Sequence, residues 1–208
     1  MITTVIFDLD NTLVETQELI YQSYEHTLQL HGLKKPTREE ILSYMGPPAV
    51  TVYERLAPQF DNEELFETHR QFTKNNLHLV TLYTHTMYTL QVLKNSCKKI
   101  GIVTARSKAS TQDILRATGI FDFFDCVVAS DDVSKPKPHP EHVLKALELL
   151  NTKPQNGIMV GDTHTDIQAG KAAGVKTIGV TYGFHGEKIK EAGPDHIIAD
   201  IKEVPFYC

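Results

Sequence analysis

An α/β fold, a doubly wound parallel sheet interrupted by an all-helical insert, is predicted from three features of the chain. The second half alternates short apolar runs with helical patterns, as a parallel sheet covered on both faces requires. Near the start, the apolar run Val5-Ile6-Phe7 leads directly into Asp8-Leu9-Asp10-Asn11-Thr12. Between these regions, residues 15–79 hold no strand-like run and show helical periodicity instead.

Val5-Ile6-Phe7 reads as the first strand. In the insert, apolar residues recur at helical spacing around Leu19-Ile20, Tyr24 and Leu28, then in 38–45, 49–57 and 62–79. Gly32, Pro36, Gly46-Pro47-Pro48 and Pro58 punctuate these runs. Beyond the insert, 99–104 (Lys-Ile-Gly-Ile-Val-Thr) reads as a strand and 107–118 as a helix stopped by Gly119. A strand follows at 125–129, then a helix at 140–150 with proline at its first position. Residues 157–160 read as a strand, 163–173 as a helix ended by Gly174, and 175–180 as a further strand. The expected division is therefore 1–14 with 80–208 for the α/β core and 15–79 for the insert.

A chain of 208 residues suits one large domain or one domain carrying an insert. With 41% hydrophobic and 23% charged residues it has ordinary globular composition. A net charge of −5 gives no reason to expect nucleic acid or an anionic membrane as partner. No apolar stretch is long enough to cross a bilayer, and the first residues lack the basic flank and long apolar core of a secretory signal. Cys97, Cys126 and Cys208 are odd in number and widely spaced, so they match neither a metal-ligand pattern nor a disulfide framework. They read as reduced thiols of a cytoplasmic protein.

In an open parallel sheet, ligands bind beyond the carboxyl ends of the strands. Here the first strand ends at Asp8 and Asp10, the second at Thr104, and the fourth at Gly161-Asp162. The third leads through Ser130-Asp131-Asp132 to Lys135 and Lys137. Two carboxylates two positions apart in a partly dry cleft need a cation or a proton between them. Acids can hold Mg²⁺, which prefers hard oxygen ligands. A hydroxyl, a lysine and helix-start amides can hold a phosphate. Together these parts describe a phosphoryl-transfer site.

The set Asp8-x-Asp10-x-Thr12, Thr104, a lysine before a helix and Gly161-Asp162-x-x-x-Asp166 resembles the motifs of the haloacid dehalogenase superfamily of phosphohydrolases, in order and over nearly the whole chain. The resemblance implies that Asp8 is the nucleophile and forms an aspartyl-phosphate, with Asp10 as general acid and base. It implies Mg²⁺ held by the Asp8 carboxylate, the Asp10 carbonyl and Asp162, with Asp166 as a ligand or a partner of the ligands. Thr104 and a lysine complete the catalytic set. The pattern Lys-Pro-x-Pro can be laid on Lys135 or Lys137, and its place against the helix start favours Lys137. Alternating prolines suggest polyproline II for this segment, so that the two lysines point in different directions.

In this family such an insert is a cap that closes over the core, with hinges expected near 14–16 and 80–84. Asn11, Thr12, Gly46, Pro47, Ala105 and Arg106 are the expected substrate-binding residues. Met45-Gly46-Pro47-Pro48 would be a rigid turn between cap helices, and Arg106 would meet an anionic substrate group. The chain looks most like bacterial phosphoglycolate phosphatases and, more closely, a pyrophosphatase group. The expected substrate is accordingly a small phosphorylated metabolite or pyrophosphate, bound by a monomer or homodimer. Asn11 departs from the glycine of many relatives but tolerates unusual backbone angles. A mutase of the β-phosphoglucose type shares every core motif and remains an alternative. A phospho-acceptor signalling domain fits less well, because such domains place the phosphorylated Asp after the third strand and have no helical insert.

Overall fold

The computed structural model describes residues 1–43 and 49–208. In chain order its elements are β1 (Thr4–Phe7), β2 (Val14–Glu15), α1 (Gln17–Leu30), α2 (Arg38–Ser43), α3 (Ala49–Leu56), α4 (Asn62–Asn75), β3 (Thr81–Leu82), α5 (Thr86–Asn95), β4 (Lys99–Val103), α6 (Lys108–Ala117), β5 (Cys126–Val128), α7 (Glu141–Leu149), β6 (Gly157–Gly161), α8 (His164–Ala173), β7 (Lys176–Val180) and β8 (His196–Ile198).

Six strands form one sheet in the order β5-β4-β1-β6-β7-β8, every pair parallel. The first strand lies inside the sheet, between β4 and β6. The chain first builds outward on one side of β1 and then on the other, and this reversal opens a crevice at the carboxyl edge. β1 is buried on both faces, and its side chains alternate between them. Val5 and Phe7 join one apolar cluster with Ile100, Ile102, Ile158 and Val160, while Ile6 joins Val103, Val128 and Met159 on the other side. The helices are bounded by local chemistry. Ser107 caps α6 by accepting from the Ser110 amide, and Thr163 with Asp166 forms a reciprocal capping box at α8. Gly174, with φ +77°, ends α8 in the left-handed conformation.

Helices α1–α4 lie in the insert and pack around a third apolar cluster of Tyr24, Leu28, Ile41, Val52, Tyr53, Ala57 and Leu65. The two chain connections to the insert run side by side as an antiparallel ribbon, Val14 opposite Leu82 and Glu15 opposite Thr81. Glu15, expected at the start of an all-helical unit, is thus in a strand. Its partner Thr81 lies beyond the insert, so no run of apolar residues within 15–79 marks the pairing.

The expected core strands and helices are present with ends shifted by at most one residue. Helix α5 and the edge strand β8 have no counterpart in the sequence expectations; β8 is only three residues long, too short for a periodicity to show. The proline-rich segment turns at residues 137–138 rather than continuing as polyproline II, and its Lys137–Pro138 peptide is cis. Among the described residues, no helix is long and apolar enough to cross a membrane. The three cysteines are free.

Candidate active site

At the carboxyl edge of the sheet, Asp8 follows β1 with its amide still bonded to the Val160 carbonyl of β6 at 2.9 Å. Its carboxylate meets those of Asp162, after β6, and Asp166, in the first turn of α8. One oxygen from each lies within 4.8 Å of the others, and all three residues are buried. Each acid is held in place by protein donors, one of them shared. The Lys137 ammonium bridges Asp8 Oδ1 at 2.7 Å and Asp166 Oδ1 at 2.6 Å. Asp162 Oδ1 accepts from the Thr12 hydroxyl at 3.1 Å, and its Oδ2 accepts from the Phe184 amide at 2.8 Å. Asp166 Oδ2 accepts from the amide and hydroxyl of Thr163, at 3.0 and 2.6 Å. Asp166 therefore caps its helix with one oxygen and faces the site with the other.

This approach is possible only because two positions carry no side chain. A Cβ on Gly161 would fall 2.3 Å from the Asp166 Cβ, and one on Gly183 would fall 2.2 Å from the Asp162 Cβ.

Three carboxylates against one ammonium leave a formal charge of −2 in a buried volume. Burial above all, then the neighbouring acids, pushes the Asp8 carboxyl well above the ordinary carboxylate range despite the pull of Lys137. Asp162 is pushed up to about 7 by burial and then by Asp166. Burial works against the Lys137 ammonium, but Asp166 and Asp8 outweigh it and hold its pKa above the ordinary lysine value. Hard oxygen donors with two uncompensated charges fit a divalent cation. Asp10 does not join this cluster through its carboxylate. That group turns aside to Arg106, whose Nε lies 2.9 and 2.8 Å from its two oxygens. The Thr16 hydroxyl also donates to it, at 2.6 Å.

A cavity of about 380 Å³ opens above these groups. Asp8, Asp10, Asn11, Ala105, Arg106, Lys137, Asp162 and Asp166 of the expected set line it. Thr12 and Thr104 do not. Thr12 is fully buried with its hydroxyl spent on Asp162 and its carbonyl bonded by the Tyr182 hydroxyl, so it supports an acid rather than facing a ligand. Thr104 is also fully buried, and its hydroxyl oxygen accepts from the Arg106 amide at 3.1 Å. Asn11 adopts φ +57°, the left-handed angle that its side chain tolerates. Lys135 is exposed, while Lys137 is buried at the acids. Gly46 and Pro47 lie outside the described residues.

The opposite wall comes from the insert: Ile20 and Tyr24 of α1, Ile41 of α2, and Phe66, His69 and Thr73 of α4. None of these was expected. Their spacing along α1 and α4 is that of any amphipathic face, and only the fold separates cavity wall from interior. Thr16 and the Phe184 amide were missed as well; the one local sign of the latter is the glycine before it.

A scan against family models matches residues 5–180 to the haloacid dehalogenase-like hydrolases. The chain belongs to the haloacid dehalogenase-like hydrolase family. It is a hydrolase of the phosphatase type within that family. It is 40% identical over 207 residues to the pyrophosphatase PpaX of Anoxybacillus flavithermus, covering 98% of this chain and 95% of the relative. The PpaX of Bacillus mycoides is 39% identical over 205 residues, with 98% and 95% covered. Among solved structures, a predicted phosphoglycolate phosphatase from Haemophilus somnus superposes with a TM-score of 0.88 at 26% identity, covering 99% of this chain and 97% of its own. A haloacid dehalogenase-like hydrolase from Streptococcus pneumoniae gives 0.86 at 26% identity, with 99% and 98% covered. The haloacid dehalogenase-like motifs named from the sequence thus lie in the region that the family model spans.

Proposed function

We propose that the protein is a Mg²⁺-dependent phosphohydrolase that cleaves a small phosphate monoester or pyrophosphate through an aspartyl-phosphate on Asp8. The observation that carries this reading is the buried cluster of Asp8, Asp162 and Asp166 bridged by Lys137, at the floor of a cavity with Asp10 on its side. An Asp8 carboxylate oxygen attacks phosphorus while the bond from phosphorus to the leaving oxygen breaks. Asp10 gives its proton to that oxygen. Asp10 then takes a proton from water, the water oxygen attacks phosphorus, and Asp8 departs as carboxylate. Asp8, Asp162 and the Asp10 carbonyl would hold Mg²⁺, with Asp166 beside them. A divalent cation held there would offset the negative charge of the nucleophile and of the phosphate. Lys137 steadies the phosphate and keeps Asp8 oriented, whereas the buried Thr104, expected in the catalytic set, acts from behind the cavity wall by holding the Arg106 amide.

Residues 15–79 would act as a cap on a core of 1–14 and 80–208, excluding water when closed. The paired strands at residues 14–15 and 81–82 support hinges at both connections. The free thiols and the lack, among the described residues, of a helix able to cross a membrane are consistent with a cytoplasmic site of action.

Phosphate release from pyrophosphate, phosphoglycolate, sugar phosphates and nucleotides, with and without Mg²⁺, tests the reading. Release of free phosphate that requires the metal is expected. Release undiminished by a chelator contradicts it, and an isomerised sugar phosphate without free phosphate would make the enzyme a mutase.

A further inference from the structure

The general acid of the proposed mechanism is already engaged. Arg106 Nε contacts both carboxylate oxygens of Asp10, and Thr16 adds a third hydrogen bond. The pair is largely shielded, with side-chain exposures of 12% for Arg106 and 19% for Asp10. Neither oxygen of Asp10 can turn to a leaving group without loosening this grip.

Arg106 is firmly placed at its backbone. Its amide donates to Thr104 Oγ1 at 3.1 Å, and its carbonyl accepts from the Ser130 amide at 2.8 Å. Its Nη1 donates to Ser110 Oγ at 3.2 Å. Arg106 lines the same cavity as Tyr24 and His69 of the insert. Among the described residues, three cationic side chains line the cavity. Lys137 is committed to Asp8 and Asp166, and Arg70 is held by Glu67 on its own helix. Arg106 alone of the three has as its partner a group that must move for the reaction to proceed.

We propose that Arg106 couples leaving-group charge to catalysis: an anionic oxygen group on the departing half of the substrate draws the guanidinium off Asp10, and the freed carboxylate takes from water in the cavity the proton that it then gives to the leaving oxygen. The preferred substrates are then phosphate compounds whose leaving group carries its own carboxylate or phosphate. A neutral leaving group offers Arg106 no replacement partner. It must separate the pair unaided in a shielded site, where an unpaired charge is costly. This inference rests on the phosphohydrolase reading above. Arg106 touches the substrate's leaving group and acts on the chemistry through Asp10, so it is a specificity and positioning residue.

The test compares phosphoglycolate with its neutral amide counterpart, which differs only in the charge of the leaving group, using wild type, Arg106→Gln, Arg106→Lys and Thr16→Val, all with Mg²⁺. Wild type is expected to favour the carboxylate by about 10- to 100-fold in kcat/KM, the worth of a charge-assisted hydrogen bond. In Arg106→Gln the phosphoglycolate rate falls while kcat for the amide rises above the wild-type value, because Asp10 is no longer held. Pyrophosphate should fall with phosphoglycolate. Arg106→Lys should keep part of the preference, and Thr16→Val should raise kcat for the amide while the preference narrows. A purely structural role would lower both substrates together, and a simple anion-binding role would leave kcat for the amide at its wild-type value; either result overturns the coupling. If Arg106→Gln fails to fold, as its melting curve would show, an unchanged or lowered amide kcat in Thr16→Val overturns it instead. Wild type inactive on every phosphate compound would sink the phosphohydrolase reading itself, whereas activity without a preference for the charged leaving group sinks only the coupling.

Discussion

The floor and the roof of the cavity are built on different terms. On the floor, every carboxylate accepts from a protein donor, Asp8 and Asp166 sharing Lys137, and the positions follow from strands buried on both faces. On the roof, Ile20, Tyr24, Ile41 and Phe66 offer surface and shape, backed by a small apolar cluster belonging to the insert itself. The contrast teaches where each property resides. On the proposed function, chemistry would rest on these mutually bonded charges, Arg106 would read the charge of the leaving group, and the apolar wall would read its shape. Arg106 stands between the two, anchored to the floor and directed toward the roof.

The sharpest break in this contrast comes at Asp8. Asp8→Asn is expected to abolish phosphate release, a loss of about 10³-fold or more as for other groups acting as one unit. The fold should survive, because burial already disfavours the Asp8 charge and its removal leaves Lys137 paired with Asp166. Activity assays and thermal melting of the same preparation check both parts. Asp10→Asn should cost about 10²- to 10⁴-fold with poor leaving groups, the range of general acid catalysis. Activated esters should lose much less. Equal losses across a leaving-group series would remove Asp10 from the acid role.

Roof changes should be milder and selective. Phe66→Ala is expected to lower kcat/KM for bulky organic phosphates by about tenfold or less, the effect of trimming one apolar contact in a pocket. Pyrophosphate, too small to span the cavity, should be nearly unaffected. A loss on pyrophosphate as large as on the organic esters would mean that the roof also sets the floor.

The smallest effect concerns stability. Burial, and then the Arg106 charge, lowers the His69 pKa to about 3, and Tyr53 Oη lies 2.9 Å from its Nδ1. The unfolded chain titrates this group near the ordinary value of about 6.5. Below that pH the unfolded state binds a proton that the folded state refuses, so stability falls as pH drops from about 6.5 toward 3. The slope from this group is at most about 1.4 kcal/mol per pH unit. His69→Gln should flatten that part of the curve in pH-dependent denaturant melts. An unchanged slope would mean that His69 takes up its proton without unfolding.

Much of the floor was legible because its residues directly follow apolar strands, where a buried acid has few structural reasons to exist. The choice of Lys137 over Lys135 was legible for a similar reason, since only one position lies against the helix start. The Asp10–Arg106 pair was not: 96 positions separate the partners, and no local pattern joins them. Thr12 and Thr104 shared the motifs but not the cavity wall, because a motif names a residue without saying which way its hydroxyl turns. The roof escaped for a different reason. Tyr24 and Leu28, or Phe66 and His69, repeat at the same spacing whether they face an interior or a substrate. Glu15 showed no sign of its strand, because pairing with Thr81 is decided by the return of the chain and not by the two residues themselves.

Covalent capture at position 8 is the decisive measurement. Enzyme mixed with substrate and Mg²⁺, quenched and reduced with borohydride, should yield homoserine in place of Asp8 on peptide mass spectrometry, and none without substrate. Reduction at another aspartate, or an unmodified Asp8 in an enzyme that is turning over, would contradict the aspartyl-phosphate mechanism.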